Sequence, residues 1–314
     1  GAFRLPWGTP AYAVGEGARR QAAEVPTRTV AGAKSWLANA RVDRRQPILP
    51  WNAPDDVSKV SPVEASRRYL EHLVAAWAHA HPEAPLSEQQ VVLTVPASFD
   101  AAARELTREA AVAAGLPQES VLLEEPQAAF YAWIAAGERS WRKQVKEGDV
   151  ILICDVGGGT TDFTLVNVAQ ENGELTLRRI AVGNHILVGG DNMDLALAHL
   201  AQGRFAEKGL TLDAWQSVAL WHACRAAKES LLQNPDLASA PVTLLGRGRR
   251  TIGGSVSIEL RREEILSVLT DGFFPVSRLQ DRPARRAASG FRELGLPFES
   301  DPAVTRHLSQ FLAQ

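Results

Sequence analysis

Along this chain the apolar residues switch between strand-like and helix-like spacing, and the switches set out most of the expected elements. Val91-Val92-Leu93-Thr94-Val95 is a short apolar run closed by Pro96, which reads as a buried strand. Val150-Ile151-Leu152-Ile153-Cys154 is a second run of this kind, and Phe163-Thr164-Leu165-Val166-Asn167-Val168 alternates at the period of a strand. Glu174 to Val182 extends these two into an antiparallel meander, and shorter strands are expected at Val121 to Leu123, Val242 to Leu245 and Thr251 to Leu260. Ser61-Pro62-Val63-Glu64 starts a helix with a cap, a first-turn proline and a glutamate able to reach back to the cap. Its core face is Leu70, Leu73, Val74 and Trp77, and His81-Pro82 ends it. Asp100 caps a helix that stops at Gly115, and Gln127 to Ala136 forms another, stopped by Gly137. Asp191 to Glu207 and Asp213 to Gln233 read as a helix pair, the second carrying Val218, Trp221, Cys224 and Leu232. A helix near Glu263 to Thr270 and a last one, capped by Asp301-Pro302 and carrying Val304, Leu308, Phe311 and Leu312, complete the pattern. Residues 1–60 have weak periodicity, with a short helix within Thr29 to Ala40. Gly246-Arg247-Gly248-Arg249-Arg250 reads as a solvated basic tip.

With 314 residues, 45% of them hydrophobic, the chain can bury more than one core, so two lobes are expected. Lys+Arg 34 against Asp+Glu 36 leaves a net charge of −2, which argues against nucleic acid as a partner. The only cysteines, Cys154 and Cys224, lie in apolar runs, which points to a reducing, cytoplasmic setting. No apolar run reaches the length of a membrane span, so no membrane partner is expected. His72, His79 and His81 share a helix, but their spacing reads as a solvated surface rather than a metal site.

The strongest candidate chemistry is Asp155-Val156-Gly157-Gly158-Gly159-Thr160-Thr161-Asp162, a turn between two strands. Glycines without Cβ atoms let backbone N–H groups approach an anion, and the threonines add hydroxyl donors. Asp155 and Asp162 suit a phosphate only if a cation such as Mg²⁺ lies between them. Taken alone, the same eight residues also fit a tight hairpin with polar tips.

Further segments follow in the order found in one family, and here the chain resembles the nucleotide-binding domain of DnaK-type chaperones, the seventy-kilodalton heat-shock proteins. Thr29 to Lys34 looks like the family's lysine segment, Val95 to Asp100 its switch-proline strand end, and Arg104 the arginine that goes with that proline. Leu123-Glu124-Glu125-Pro126-Gln127-Ala128-Ala129 is similar to its Glu-Pro-x-Ala-Ala segment. Val188-Gly189-Gly190-Asp191-Asn192-Met193-Asp194 resembles its Gly-Gly-acid segment, and Ala223 to Lys228 its adenosine-side helix. The resemblance implies an α/β, actin-like ATPase (ribonuclease H-like) fold with two lobes. Residues 1–60 and 61–148 would form the outer and inner parts of the first lobe; 149–187 and 188–271 the inner and outer parts of the second; 272–314 a divergent C-terminal segment. It implies ATP/ADP and Mg²⁺ as cofactors. Lys34 would reach the γ-phosphate, Glu125 and Asp155 would orient the water shell of magnesium, and Asp162 would place the attacking water. Gly157, Gly158, Gly159, Thr160, Thr161, Gly189, Gly190 and Lys228 would hold the nucleotide, and Pro96 with Arg104 would couple its state to the rest of the protein. A client protein and a co-chaperone or exchange factor are the implied partners, reached through domains outside this stretch.

Three departures qualify the resemblance. The family's first phosphate loop and its C-terminal Gly-Gly-Ser strand turn have no counterpart, so the stretch is expected to be truncated at both ends. An isolated stretch of this kind is expected either to associate through an open strand edge or to fill that edge with its own C-terminal residues. Around Lys228 the family's charges are exchanged, with Arg225 in place of an acid and Glu229 in place of a base. Two other readings remain open: a bacterial actin-like filament or scaffold protein, and a nucleotide-free binding module.

Overall fold

The computed structural model describes residues 4–22, 24–51, 53–137, 140–245, 254–284, 296 and 298–314. The expected basic tip at 246–250 and the first residues of the strand expected from Thr251 lie outside them. Helices α1 (Glu16–Gln21), α2 (Ala33–Ala38) and α3 (Pro62–Ala80) open the chain. Two parallel strands follow, β1 (Val92–Val95) and β2 (Val121–Glu124), joined across α4 (Ala101–Ala113). Helices α5 (Glu125–Gly137) and α6 (Trp141–Gln144) lead to the meander β3 (Val150–Val156), β4 (Thr161–Glu171) and β5 (Glu174–Val182). After it come α7 (Gly190–Glu207) and α8 (Ala214–Gln233). An antiparallel pair, β6 (Ser239–Leu245) and β7 (Ser255–Arg261), leads to α9 (Arg262–Phe273) and α10 (Val304–Leu312). Among the described residues, no helix is long and apolar enough to cross a membrane.

Capping chemistry places the helix starts. The Ser61 hydroxyl accepts the Glu64 N–H at 3.0 Å, and the Asp100 carboxylate accepts that of Ala103 at 2.6 Å. Asp213 and Gln216 close a reciprocal box at α8. Glu64, expected to reach back to its cap, instead binds Arg67 and Arg68 one turn on, where two guanidinium groups outbid one backbone N–H. Asp301 is also not the cap expected of it. It lies two residues before the N-cap Ala303, accepting N–H groups from Ala284 and Ala303 and pairing with Arg306.

The meander rests on a large core. Phe163 on β4, Leu197 and Phe205 on α7, Leu220 and Leu231 on α8, Leu260 on β7 and Ile265 on α9 are all buried in it, and Val304 and Phe311 of α10 join them. Phe311 stacks on Phe163 with centroids 5.7 Å apart. The C-terminal segment, expected to be divergent, is therefore part of this core. The cores of the first half are smaller. One gathers Leu37, Val63, Val95, Phe99 and Leu106, and another Ala33, Trp36 and Leu49.

Two expectations fail for one physical reason. Val91 to Val95 was expected as a buried strand, but Val92 is 55% exposed and so is its parallel neighbour Val121. The run starting at Val150 was expected to be buried too, but Val150, Leu152, Cys154 and Val156 on one face of β3 are exposed. Parallel strands and two-sided apolar strands are normally covered on both faces. Here, among the described residues, β1 has only β2 beside it, and β3 has only β4. The expected face of α3 shifts likewise. Pro62, Val63 and Ala65 in its first turns are buried, whereas Leu73 is 60% exposed. His72 and His79 lie on one side after all, both against Trp7, because seven residues make nearly two turns. Among the described residues, no group of three or more His, Cys, Asp or Glu side chains could hold a metal ion.

Candidate nucleotide site

The turn from Gly157 to Thr160 closes on itself through Gly157 N–H to Thr160 O, at 2.8 Å. The N-terminus of α7 packs directly against it. Gly190 N–H reaches Gly157 O at 3.0 Å, and Asp191 N–H reaches Gly158 O at 2.6 Å. A Cβ on Gly189 would lie 2.6 Å from Gly157 O and 2.7 Å from Gly158 O, both backbone atoms with no freedom to move aside. Glycine at 189 is thus required by space, its φ of −170° being ordinary extended backbone. The N-cap of α7 is Gly189, whose N–H is accepted by the Asn192 side chain at 2.9 Å; Asp191 is not a cap. Thr160 and Thr161 are buried, and the Thr161 hydroxyl donates to Val188 O at 2.9 Å.

Asp155 and Asp162 stand directly opposite in the β3–β4 register, so their side chains leave the same face of the sheet. Asp162 is buried and receives the Ser98 hydroxyl at 2.9 Å. Ser98 in turn meets His185 Nδ1 at 2.6 Å. With the Ser98 proton given to Asp162, the proton between Ser98 and His185 must be on Nδ1; Nε2 is buried without a partner among the described residues. Both contacts to the imidazole use Nδ1, so the three residues do not form a serine-hydrolase relay, which needs both ring nitrogens. Asp155 has no hydrogen bond or ion pair among the described residues.

Lys34, on α2, pairs with Glu125 at the start of α5, Nζ to the carboxylate oxygens at 2.8 and 3.0 Å. Next to it, the Ser35 hydroxyl would meet a Cβ on Gly159 at 2.6 Å, so α2 is wedged against the glycine turn. Pro96 is buried at the end of β1. Among the described residues Arg104 makes no hydrogen bond to it but ties down the carbonyls that follow, Ala97 O and Phe99 O, each at 3.1 Å, and pairs with Glu124 at 3.0 Å. Glu124 also binds Arg179 of β5, linking the parallel strands to the meander.

On α8, Lys228 Nζ lies 2.7 Å from Asp194 Oδ1 and 3.4 Å from Gly190 O. Arg225 binds Asp194 at 2.7 Å and also pairs with Asp191. Asp194 is wholly buried, and burial raises the Asp191 pKa above its ordinary value despite the guanidinium beside it. Glu229 pairs with Arg19. The exchanged charges on α8 are therefore matched from α7 and α1. Sequence reasoning did not find Ser98, His185, Ser35 or Glu124. Glu124 and Ser98 lie within segments picked out by the resemblance and Ser35 next to Lys34, but each matters through a partner more than 50 residues away, as His185 does.

Among the site residues expected from sequence, three clusters come together: the Gly157–Thr161 turn with Gly189–Gly190, the opposed Asp155 and Asp162, and Lys34 with Glu125. Lys228 joins the first through Gly190 O.

Residues 7–277 match the family described as Hsp70 protein. The chaperone protein HscA homolog of Bordetella pertussis is 32% identical over 259 residues, 79% of this chain and 38% of its own length. The chaperone protein HscA of Xenorhabdus nematophila is 35% identical over 199 residues, 59% of this chain and 30% of its own. The chaperone protein DnaK of Stenotrophomonas maltophilia is 28% identical over 198 residues, 58% and 29% respectively. The chain spans about a third of the length of the curated relatives it matches. The match extends from before the first helix past the glycine turns and α8 to the end of α9, and on that extent this α/β chain, with its actin-like fold, belongs to the Hsp70 family.

Proposed function

We propose that this chain binds ATP or ADP with magnesium against the wall formed by Gly157–Thr161 and Gly189–Gly190, and takes part in ATP hydrolysis within a chaperone. The observation that carries this reading is the placement of two carboxylates, Asp155 and Asp162, opposite each other at the mouth of two glycine turns in backbone contact. Like charges at that spacing repel, and a divalent cation relieves them. Asp155, which has no hydrogen bond or ion pair among the described residues, and Glu125 would hold the magnesium through its water shell, and the cation would neutralise phosphate charge. Asp162, fixed by the Ser98 hydroxyl, would orient the attacking water, a task that needs placement more than basicity. Lys34 would exchange Glu125 for the γ-phosphate and stabilise the charge that develops there. Through the Arg104 contacts, the turn after Pro96 would carry the state of the nucleotide toward a client-binding partner or a co-chaperone.

The test is calorimetric titration of Mg-ATP into the chain and into Asp155→Asn. Binding with a dissociation constant in the micromolar range that weakens at least tenfold in the variant is expected. Equal binding by both proteins would remove Asp155 from the site, and no binding by the wild-type chain would sink the reading.

A further inference from the structure

Both neighbours of the Asp162 carboxylate use one of its oxygens. The Ser98 hydroxyl meets Oδ1 at 2.9 Å, and His185 Nδ1 lies 3.4 Å from the same atom and 2.6 Å from the hydroxyl. Oδ2 makes no hydrogen bond among the described residues, and Asp162 keeps 4% of its surface exposed, enough to leave that oxygen to a water.

The backbone holds these groups in place from both halves of the chain. Thr161 and Ile186 exchange both backbone hydrogen bonds, at 2.9 and 3.3 Å, and the Gly183 N–H reaches Phe163 O at 2.8 Å. The segment carrying His185 is thereby pinned along β4 on either side of Asp162, with Ile186 buried in the large core. Ser98 sits between two carbonyls, Ala97 O and Phe99 O, that Arg104 ties down. Its hydroxyl still turns freely about the Cβ–Oγ bond, so a neighbour has to set where the proton points.

The imidazole is that neighbour. A bare Nδ1 would compete with Asp162 for the Ser98 proton and would face Oδ1 with no hydrogen between them, two acceptors in a nearly closed site. A proton on Nδ1 removes both conflicts. It fills the contact to Ser98 Oγ and leaves the hydroxyl able to donate only toward Asp162. Donation then runs one way, from His185 to Ser98 to Asp162, whether or not Nε2 also carries a proton.

We infer that His185 is a positioning residue for ATP hydrolysis: acting through Ser98, it keeps Oδ1 of Asp162 occupied and Oδ2 aimed at the attacking water. The inference rests on the nucleotide reading above and adds how the water-orienting carboxylate is itself aimed. His185 touches neither the water nor the phosphate, and its effect passes entirely through the serine hydroxyl.

The test compares the wild-type chain with His185→Leu, His185→Asn, Ser98→Ala and the double variant of His185→Leu with Ser98→Ala, each shown to melt cooperatively. Nitrogen NMR of the imidazoles, without nucleotide, identifies the His185 signals by their loss in His185→Asn. A protonated Nδ1 is expected, and a ring protonated on Nε2 alone would overturn the inference. Single-turnover hydrolysis of Mg-ATP is measured beside calorimetric binding of Mg-ADP. His185→Leu and Ser98→Ala are each expected to slow hydrolysis about tenfold or more while Mg-ADP affinity stays unchanged. The double variant should be no slower than either single one, because both remove the same chain of donors. His185→Asn, whose amide N–H takes the place of Nδ1–H, should keep most of the rate. Wild-type rates in His185→Leu, or His185→Asn as slow as His185→Leu, would overturn the positioning role and leave nucleotide binding standing, as would Mg-ADP binding without hydrolysis in the wild type. No Mg-ADP binding by the wild type would instead overturn the nucleotide reading and the hydrolytic role of His185 with it.

Discussion

His222 is a residue whose protonation the fold opposes. Its pKa falls from 6.5 to about 4, so between those values the unfolded chain takes up a proton that the folded one refuses. Stability from this residue is fully present above about pH 6.5 and is lost as pH drops toward 4. The loss amounts to about 3 kcal/mol at the low end. Urea midpoints measured from pH 7 to pH 4 should fall more steeply for the wild type than for His222→Leu, and parallel slopes would show that the ring is solvated. Asp194 is the other residue where burial decides the outcome. It is completely enclosed and holds both Arg225 and Lys228. Replacing it with leucine leaves Lys228 without its carboxylate and Arg225 with Asp191 alone, and a loss of about 3 kcal/mol in denaturant stability is expected. A loss below 1 kcal/mol would mean that the cluster is open to water. Thiol labelling gives an independent check of packing. Burial pushes the Cys224 thiol up to about 12, whereas Cys154 is exposed on β3, so a disulfide reagent should modify one thiol quickly and the second only on unfolding.

At the scale of elements, the contact between the glycine turn and α7 makes a sharp distinction between neighbouring glycines. A methyl group at 189 collides with two backbone oxygens, whereas one at 158 meets nothing within 4 Å. Gly189→Ala should therefore destabilise the chain by about 1–3 kcal/mol and abolish Mg-ATP binding, while Gly158→Ala should leave stability nearly unchanged. Thermal melts of both variants decide it, and equal melting temperatures would refute the packing. The same contrast shows what the sequence could and could not disclose. The meander, the capped starts of α3 and α4, the extent of α8 and the glycine turns rest on local chemistry, namely period, cap and turn residues, and all were legible. The burial of β1 and β3 was not, because an apolar run records what a strand can cover and not whether a neighbour is there to cover it. α1 left no periodic signal, since none of its residues is buried. In the site, motif residues such as Asp155 and Gly189 announced themselves, whereas Ser98 and His185 act only through contacts made by the tertiary fold.

Taken as a whole, the molecule has one well-filled core and two sheets with apolar surface in the open. α10 covers one side of β4, but among the described residues no C-terminal segment adds a strand beside β1 or β3. Of the two outcomes expected for open edges, association is the one that this arrangement leaves. The chain should form concentration-dependent oligomers in light scattering, and Leu152→Lys, which charges the exposed face of β3, should shift them toward monomer. A wild-type chain that stays monomeric at high concentration would contradict this. The Ser98 hydroxyl also has a meaning at this scale, because it reaches from the turn after β1 to a carboxylate on the meander. On the proposed reading, if the two halves swing apart, Asp162 would exchange that fixed donor for mobile water and would lose its aim as a ligand enters or leaves. Chemistry and exchange would then be confined to separate phases of one cycle, kept apart by a single side-chain proton.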